Sequence, residues 1–167
     1  MFYGDEARVN MESYVPYGWQ FKDEEVFMPS ERSKGLNCFG LLSRSNEFYF
    51  KTSTSNIDSD FIIEQFENFS WNLKRITVIV LDNARVHMSK KVQVHRSFWE
   101  ERGLYLFFLP AYSPHLNIIE ILWRELKCRW LRAEDYGCEQ GLFYQVTLAL
   151  GAVGNLLRIN FAPFVLG

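Results

Sequence analysis

The chain has 167 residues, of which 48% are apolar and 23% are charged, and this composition indicates one globular, soluble domain over residues 1–167. It contains no run of about 20 apolar residues, which excludes an ordinary membrane-spanning helix. The net charge of −2 argues against a nucleic-acid binder, yet residues 71–132 carry 11 Lys and Arg against 5 Asp and Glu. Such asymmetry is a hint of an electrostatic footprint, and uneven surface charge is also common in proteins that have no charged partner.

The cysteines bear on the cellular compartment. Cys38, Cys128 and Cys138 form no CxxC pair and are odd in number, so they indicate reduced thiols and neither a disulfide framework nor a zinc site. Asp5 and Glu6 stand where an apolar leader peptide would begin. We therefore expect a cytoplasmic protein.

The first third of the chain predicts three strands. Residues 2–6 are predicted to be the end of a strand, which we expect to be short because only four residues precede Asp5. The next two dozen residues are rich in aromatic residues and proline and predict an irregular loop. Residues 38–43 and 47–53 predict a hairpin whose connection is residues 44–46.

A helix and a buried strand are predicted next. Residues 57–69 have apolar positions at helical spacing, and Ser55 or Asn56 is the expected N-cap. Residues 76–82 form a short β-branched run without alternation, which is typical of a strand buried on both faces.

A second helix and strand follow. Ser89 is expected to cap a helix that runs to about Glu101, and Gly103 is expected to end it. Residues 104–109 then predict another strand buried on both faces.

The last part of the chain predicts two helices. Asn117 is expected to cap a helix over residues 118–131, and residues 141–157 again have a helical pattern. Taken together, the order of elements predicts an α/β fold with a mixed five-stranded sheet and helices on both faces.

Three carboxylates lie at the ends or on the faces of these elements: Asp5, Asp82 and Glu120. If the first and fourth strands are parallel neighbours, Asp5 and Asp82 project at one edge of the sheet, where α/β sheets bind ligands. Glu120, Arg124 and Lys127 share one face of their helix. An acid followed by two bases suits a metal-bound phosphate.

Each acid also has a purely structural interpretation. Asp82 followed by Asn83 is typical of a turn. Asp5 beside another acid is typical of a solvated surface. Glu120 with Arg124 is typical of an ordinary helix ion pair.

Other classes of site are less well supported. An acid after an apolar strand also occurs in nucleotide-binding ATPases, but the chain lacks a G-x-x-x-x-G-K-[ST] loop. His87, His95 and His115 do not have zinc-motif spacing, and His95 is expected to pack in the core. Lys90 and Lys91 fall in a first helical turn, where they are either a solvated pair or phosphate contacts.

Two long ordered blocks resemble the catalytic core of mariner-type DDE transposases, in their bacterial insertion-sequence branch. The blocks are VLDNARVHMSKKVQ (80–93) and LYLFFLPAYSPHLNIIEILWRELK (104–127). The first has the pattern D-N-A-x-x-H and the second has L-P-x-Y-S-P-x-L-N-x-I-E-x-x-W. Weaker upstream blocks match at residues 5–6, 17–19 and 37–42.

The resemblance implies an RNase H-like fold and a transposase that cleaves DNA and transfers the strand. It makes Asp5, Asp82 and Glu120 the catalytic acids, holding two Mg²⁺ or Mn²⁺ ions that Asp5 would bridge. Asp82 should have no protein partner, because its partner would be a metal ion. The loop of residues 112–114 would position Glu120.

The resemblance also implies partners. The DNA backbone contacts expected are Lys90, Lys91, Arg124 and Lys127. An active complex of this kind is expected to be a homodimer on DNA, and the helix-turn-helix domains that read transposon ends are not found in this sequence. Two other interpretations stay open: an inactive transposase remnant that only binds DNA or oligomerises, and a plain RNase H-like nuclease.

Overall fold

The computed structural model describes residues 1–12, 34–111 and 113–161, and its strands form one sheet in the order β3-β2-β1-β4-β5. The strands are β1 Phe2–Asn10, β2 Gly35–Ser43, β3 Phe48–Ser53, β4 Thr77–Leu81 and β5 Leu104–Phe108. The helices are α1 Ser59–Ser70, α2 Lys90–Glu101, α3 Ile119–Glu125 and α4 Glu139–Ala152, with a π-helical turn at Leu126–Trp130 and short 3₁₀ turns at Pro114–Leu116 and Ala133–Gly137. Among the described residues, no helix is long and apolar enough to cross a membrane.

The central strand is longer than expected. β1 covers nine residues and pairs with antiparallel β2 along its whole length, from Phe2 opposite Ser43 to Asn10 opposite Gly35. The prediction of a short strand was wrong, because the strand extends well beyond Asp5 towards its C-terminal end, where β2 supplies a partner for each residue. Asp5 therefore lies inside a full central strand.

The other half of the sheet is parallel. β1 pairs with β4, and β4 pairs with β5, both in parallel. β4 is covered on both faces, as its apolar run predicts. β5 is an edge strand, and the prediction that both its faces are buried was wrong: Leu104 and Leu106 face the core, whereas Tyr105 and Phe107 are exposed.

The predicted β2–β3 hairpin is confirmed. Its turn contains Asn46 in the left-handed region at φ 65°, a conformation that Asn tolerates better than most residues. The buried Asn46 side chain donates to the carbonyl of Ile159 at 3.1 Å and accepts from the Ile159 amide at 2.7 Å. The turn therefore also anchors the segment that follows α4.

Helices cover the sheet on both faces and make two cores. α1 and α2 pack on one face, where the rings of Phe66 and Trp99 meet edge to face at 5.2 Å. α3 and α4 pack on the other, and their inward residues Leu122, Leu142 and Val146 are fully buried. Burying one such side chain contributes about 1.5–3 kcal/mol to folding. The predicted mixed five-stranded sheet with helices on both faces is confirmed.

The N-cap was predicted correctly for α2 but not for α1. Ser89 caps α2 as predicted, accepting from the Val92 amide. The expected cap of α1 at Ser55 or Asn56 was wrong, because the helix begins later and the carboxylate of Asp58 accepts from the Phe61 amide instead.

α3 differs most from its prediction. Asn117 does not cap it, because the Asn117 side-chain amide donates across to the carbonyl of Gly4 in β1 at 3.0 Å. The helix ends at Glu125 and continues as a wider π-helical turn, where a single helix to residue 131 was expected. α4 also differs from the prediction of 141–157, because it begins earlier, at Glu139 with Cys138 as its cap, and ends earlier, at Ala152.

The irregular loop expected to follow Glu6 begins later than predicted, because residues 7–10 belong to β1. Residues 13–33, which include the block at 17–19, lie outside the described residues. Tyr112 lies outside them as well. The three cysteines are free thiols, as predicted.

The close approach of α3 to the sheet depends on a glycine. Gly40 of β2 lies directly opposite Asp5, and a Cβ atom there would stand 2.8 Å from the Phe48 ring, 3.0 Å from Trp123 and 3.1 Å from Ile119. Only a residue without a side chain lets Ile119 and Trp123 of α3 pack this closely. Since Glu120 stands between them in sequence, Gly40 helps to bring it towards Asp5.

We predict that Gly40→Ala lowers the free energy of unfolding by about 1–3 kcal/mol, because an added methyl group overpacks this layer. Gly151→Ala is the matched control: its Cβ would be 4.0 Å from the nearest atom of Phe50, in ordinary contact. Within a helix that change should stabilise by about 0.5–1 kcal/mol. Urea unfolding of both variants measures the two effects, and an unchanged midpoint for Gly40→Ala contradicts the packing argument.

Candidate active site

Two of the predicted acids meet at one level of the sheet. The parallel register pairs Phe2 with Ile79 and Tyr3 with Val80. Continued by two residues, this register places Asp5 beside Asp82, which follows the last residue of β4. Asp5 lies in the interior of β1, whereas Asp82 lies just beyond the end of the shorter strand β4. The predicted proximity of Asp5 and Asp82 therefore results from the register between β1 and β4.

Asp5 is the most perturbed carboxyl group of the site. It is only 9% exposed. Burial is the largest cause of a pKa raised to about 7, and the negative charges of Glu6, Glu120 and Asp82 raise it further. Burial and like charges both disfavour the anion. All three predicted acids are therefore close enough to interact through their charges.

Asn117 connects the third acid to the same strand. Its side chain donates to Gly4, the residue before Asp5, and its backbone carbonyl accepts from the Glu120 amide at 3.1 Å. Asn117 is 3% exposed, and its Oδ1 atom has no hydrogen-bond partner among the described residues. Glu120 itself is exposed in the first turn of α3. The exposed acid is thereby tied to the buried one.

Asp82 has protein partners, so the expectation that it is unpaired was wrong. Its Oδ1 atom accepts from the Ala84 amide at 3.0 Å and from Nδ1 of His87 at 2.9 Å. The bond to Ala84 is the turn interaction that the Asp-Asn pair suggests. The hydrogen bond from His87 is the largest cause of a lowered pKa for Asp82.

His87 is the residue that sequence reasoning missed. Its imidazole is fully buried, and Nε2 lies 2.7 Å from a carboxylate oxygen of Glu6 while Nδ1 lies 2.9 Å from Asp82. Zinc-motif spacing among the histidines gives no sign of this role. The signal was present, because the block D-N-A-x-x-H puts this histidine five residues after the acid. His95 is half-buried and stacks on Trp99 at 5.9 Å.

The contacts of His87 fix its charge. Ionised carboxylates only accept hydrogen bonds, so a ring between two of them carries a proton on each nitrogen. Burial alone would lower the pKa of His87, but the hydrogen bonds to Asp82 and Glu6 outweigh it and raise the pKa to about 10. The imidazolium therefore partly neutralises this group of acids at neutral pH.

The donor chemistry of the acids fits a hard divalent cation. Asp5, Asp82 and Glu120 offer oxygen atoms only, which Mg²⁺ prefers. In the part of the chain that the structure describes, however, no three His, Cys, Asp or Glu side chains converge closely enough to form a ready-made metal cage. Asp82 and Glu120 are nevertheless close enough to Asp5 to act on it through their charges.

The predicted DNA contacts lie in two places. Lys90 and Lys91 begin α2, and both are exposed. The Lys91 ammonium lies 2.7 Å from a carboxylate oxygen of Asp60 on α1, so it has a partner within the protein. Arg124 is exposed on α3, and half-buried Lys127 lies in the following π-helical turn. The loop residue Ser113 is half-buried.

The chain is similar to known proteins along most of its length. A family model described as DDE superfamily endonuclease matches residues 1–142. The insertion element IS630 uncharacterized 39 kDa protein of Shigella sonnei is 27% identical over 131 residues, which cover 75% of this chain and 37% of that protein. The chain thus spans little more than a third of this curated relative.

Solved structures with the same fold include a transposase and a viral integrase. The Mos1 strand transfer complex has a TM-score of 0.58 at 16% identity, covering 93% of this chain and 51% of that one. The Mos1 mariner paired end complex with Mn has a TM-score of 0.57 at 16% identity, covering 90% and 52%. The catalytic core domain of BIV integrase has a TM-score of 0.55 at 12% identity, covering 90% and 80%. The expected RNase H-like fold is confirmed.

The opposite environments of Asp5 and Asp82 predict opposite effects on stability. The pKa of folded Asp5 is raised, so ionisation above pH 3.8 destabilises the fold progressively until about pH 7. We predict that Asp5→Asn makes the metal-free chain more stable at pH 8, by on the order of a few kcal/mol. At pH 4 the difference should nearly vanish.

Asp82→Asn is the matched comparison. The pKa of Asp82 is lowered by His87, so its contribution is present above the unfolded pKa and is lost as the pH falls. This variant should be less stable than wild type at pH 8. Thermal unfolding with a chelator at pH 4 and pH 8 measures both changes, and shifts of the same sign at pH 8 would refute the assignment of environments.

Proposed function

Because the chain belongs to the DDE superfamily of endonucleases, we propose that it is the catalytic core of a transposase of the mariner and IS630 type, which cuts DNA and joins the cut strand to a target. The observation that carries this proposal is the position of Asp5. A carboxyl group buried inside the central strand, beside three more acids, is costly for a fold and useful for holding cations. The chain matches only part of its longer relatives, so DNA cleavage by this chain is itself proposed.

The metal requirement is supported by donor chemistry and by relatives. Paired-end complexes of Mos1 transposase contain Mn in one structure and Mg in another. For this chain we assign Asp5, Asp82 and Glu120 as the residues that would hold two Mg²⁺ or Mn²⁺ ions. When bound, such a pair supplies activation of the attacking oxygen and stabilisation of the leaving oxygen in phosphodiester cleavage.

The residues of the chain divide the remaining tasks by their burial. Asp5 is held rigidly in a strand with neighbours on both sides, so it gives the site a fixed centre. Asp82 has one oxygen bound by the turn and by His87, which leaves Oδ2 to face a cation. Glu120 is exposed, so it lies nearest to an incoming DNA strand. Asp5 and Asp82 thus hold fixed positions in the site, and the exposed Glu120 is accessible to DNA.

DNA is the proposed partner. The related complexes are a Mos1 strand transfer complex and a Mos1 complex with a left transposon end. We propose that Arg124, Lys127, Lys90 and Lys91 contact phosphates, as ammonium and guanidinium groups do without reading sequence. Lys91 should contribute least, because it must leave Asp60 to bind a phosphate. A homodimer on DNA and a cytoplasmic location complete the proposal.

A specific observation favours a second candidate, the inactive remnant. His87 occupies one oxygen of Asp82, and the acids of the described residues form no closed cage. DNA binding or oligomerisation would require this fold but no metal site. The presence of all three acids, with Asp82 and Glu120 close enough to Asp5 to act on it through their charges, favours the catalytic candidate.

The cleavage assay that separates the candidates uses this chain joined to a nonspecific DNA-binding domain, with a supercoiled plasmid and Mn²⁺. We predict nicking that disappears when Asp5, Asp82 or Glu120 is changed singly to Ala, a loss of at least about 100-fold, consistent with removal of a metal ligand. Glu64→Ala, an exposed acid on α1, is the control and should retain nicking. Nicking that survives Asp82→Ala would contradict the proposed site.

The DNA footprint has its own prediction. Arg124→Gln with Lys127→Gln should weaken binding to plasmid DNA and reduce its salt dependence by about two counterions, because each neutralised phosphate releases about one. Lys74→Gln is the control, since Lys74 lies between α1 and β4, near the start of β4 rather than its carboxyl end. Binding as a function of salt, measured by fluorescence anisotropy, compares the three proteins. Equal salt slopes for all three would exclude this footprint.

A further inference from the structure

His87 joins the two central strands of the sheet through their acids. We propose that His87 is a positioning residue, held by Glu6, whose Nδ1–H bond turns Asp82 so that Oδ2 faces the metal site. This role deepens the proposed function and rests on it, because it takes Asp82 as a metal ligand. Four contacts support the role: two that hold the backbone at His87, and two that the ring nitrogens make.

The backbone at His87 is held by its own loop. The backbone amide of His87 donates to the carbonyl of Ala84 at 3.0 Å, and the Met88 amide donates to the same carbonyl at 3.1 Å. The side chain is fully buried. A ring enclosed in this way, at the end of a tight turn, has little freedom to rotate. Its two nitrogens therefore act as fixed donors.

Both bonds to Asp82 reach the same oxygen atom. Oδ1 accepts from the Ala84 amide at 3.0 Å and from His87 at 2.9 Å, whereas Oδ2 has no hydrogen-bond partner within the described residues. The Asp82 side chain is 45% exposed. Two donors on one oxygen restrain the carboxylate group and leave the other oxygen without a bond to the described residues. A restrained carboxylate with one oxygen left over is suited to bind a cation.

Glu6 supplies the anchor on the other strand. Successive side chains of a strand point to opposite faces, so Glu6 lies on the face of the sheet opposite to Asp5. From there its carboxylate binds Nε2 of His87 at 2.7 Å, and the Glu6 side chain is 20% exposed. One residue of β1 is thus assigned to the metal site and the next to His87. Any shift of β1 along β4 would strain this bridge.

Two amide substitutions separate the two bonds of His87. In His87→Asn the new side-chain NH₂ group would fall near the place of Nδ1 and could still donate to Asp82. In His87→Gln the NH₂ group would fall near the place of Nε2 and could donate only to Glu6. The two variants have similar polarity, and each removes the bond that His87 makes to one of the two carboxylates. His95→Asn and His95→Gln, on a half-buried histidine of α2, are matched controls.

Two readouts test the bridge in the full chain. The first is Mn²⁺ binding, measured by calorimetry with the metal alone. The second needs no metal: the Ala84 amide signal in proton–nitrogen NMR and its hydrogen-exchange rate report whether Oδ1 of Asp82 is still in place. A role limited to stability would change the melting temperature in both variants without separating them in either readout.

We expect His87→Asn to bind Mn²⁺ within about threefold of wild type, and His87→Gln to bind about 10–100-fold more weakly, the loss typical of a residue that orients a metal ligand. The Ala84 amide should exchange faster in His87→Gln and near the wild-type rate in His87→Asn. Equal behaviour of the two variants in both readouts, whether both bind or both fail, overturns the inference.

The same experiment keeps the proposed function separate. Asp5→Asn should abolish Mn²⁺ binding while leaving the Ala84 signal unchanged, since Asp5 does not contact that turn. If wild type binds no Mn²⁺, the metal assignment of the proposed function fails, and the Ala84 amide alone decides whether His87 orients Asp82. If Mn²⁺ binds but His87→Gln matches wild type, the positioning role fails and the proposed function stands.

Discussion

The buried carboxyl group of Asp5, repelled by three neighbouring acids, is the constraint around which this fold is arranged. Asp5 is buried in the central strand, and the charges of Glu6, Glu120 and Asp82 all act on it. Such a cluster opposes folding, so the rest of the chain must compensate through two apolar layers, one on each face of the sheet. The stability of those layers allows the acids to stay in an unfavourable arrangement that a cation would relieve.

Two buried polar side chains connect the acids to one another. His87 joins Glu6 of β1 to Asp82 after β4, and Asn117 joins Gly4 of β1 to the start of α3. Both bridges end on a residue next to Asp5 in sequence. Each bridge stabilises the fold and also restricts the positions of the residues that it joins. A hydrogen bond to a fixed buried partner weakens when either group is displaced. Strand β1 is therefore the reference to which the other two acids are held.

The fold and the chain's own residues support the proposed function in different ways. The similarity to transposase and integrase cores concerns the fold alone at 12–16% identity. The details on which the proposed metal-dependent cleavage rests lie in this chain's own residues: the close packing allowed by Gly40, the burial of Asp5 and the hydrogen bonds of Asp82. These are local features that can be altered one at a time while the sheet is kept.

The sequence by itself determined the element types, the five strands and the three acids as candidates, because apolar periodicity and short motifs are local properties of a chain. It also placed the cap of α2 at Ser89 correctly. What only the tertiary structure decided were contacts between distant segments. The sequence around Asn117 does not show that its side-chain amide donates to Gly4. Nor does any local pattern show that His87 binds Glu6, which is 81 residues away in the chain. The length of β1 also depended on β2, since a strand continues where a partner accepts its hydrogen bonds. Periodicity records which face of an element is apolar, whereas pairing and polar bridges depend on where another part of the chain comes to lie.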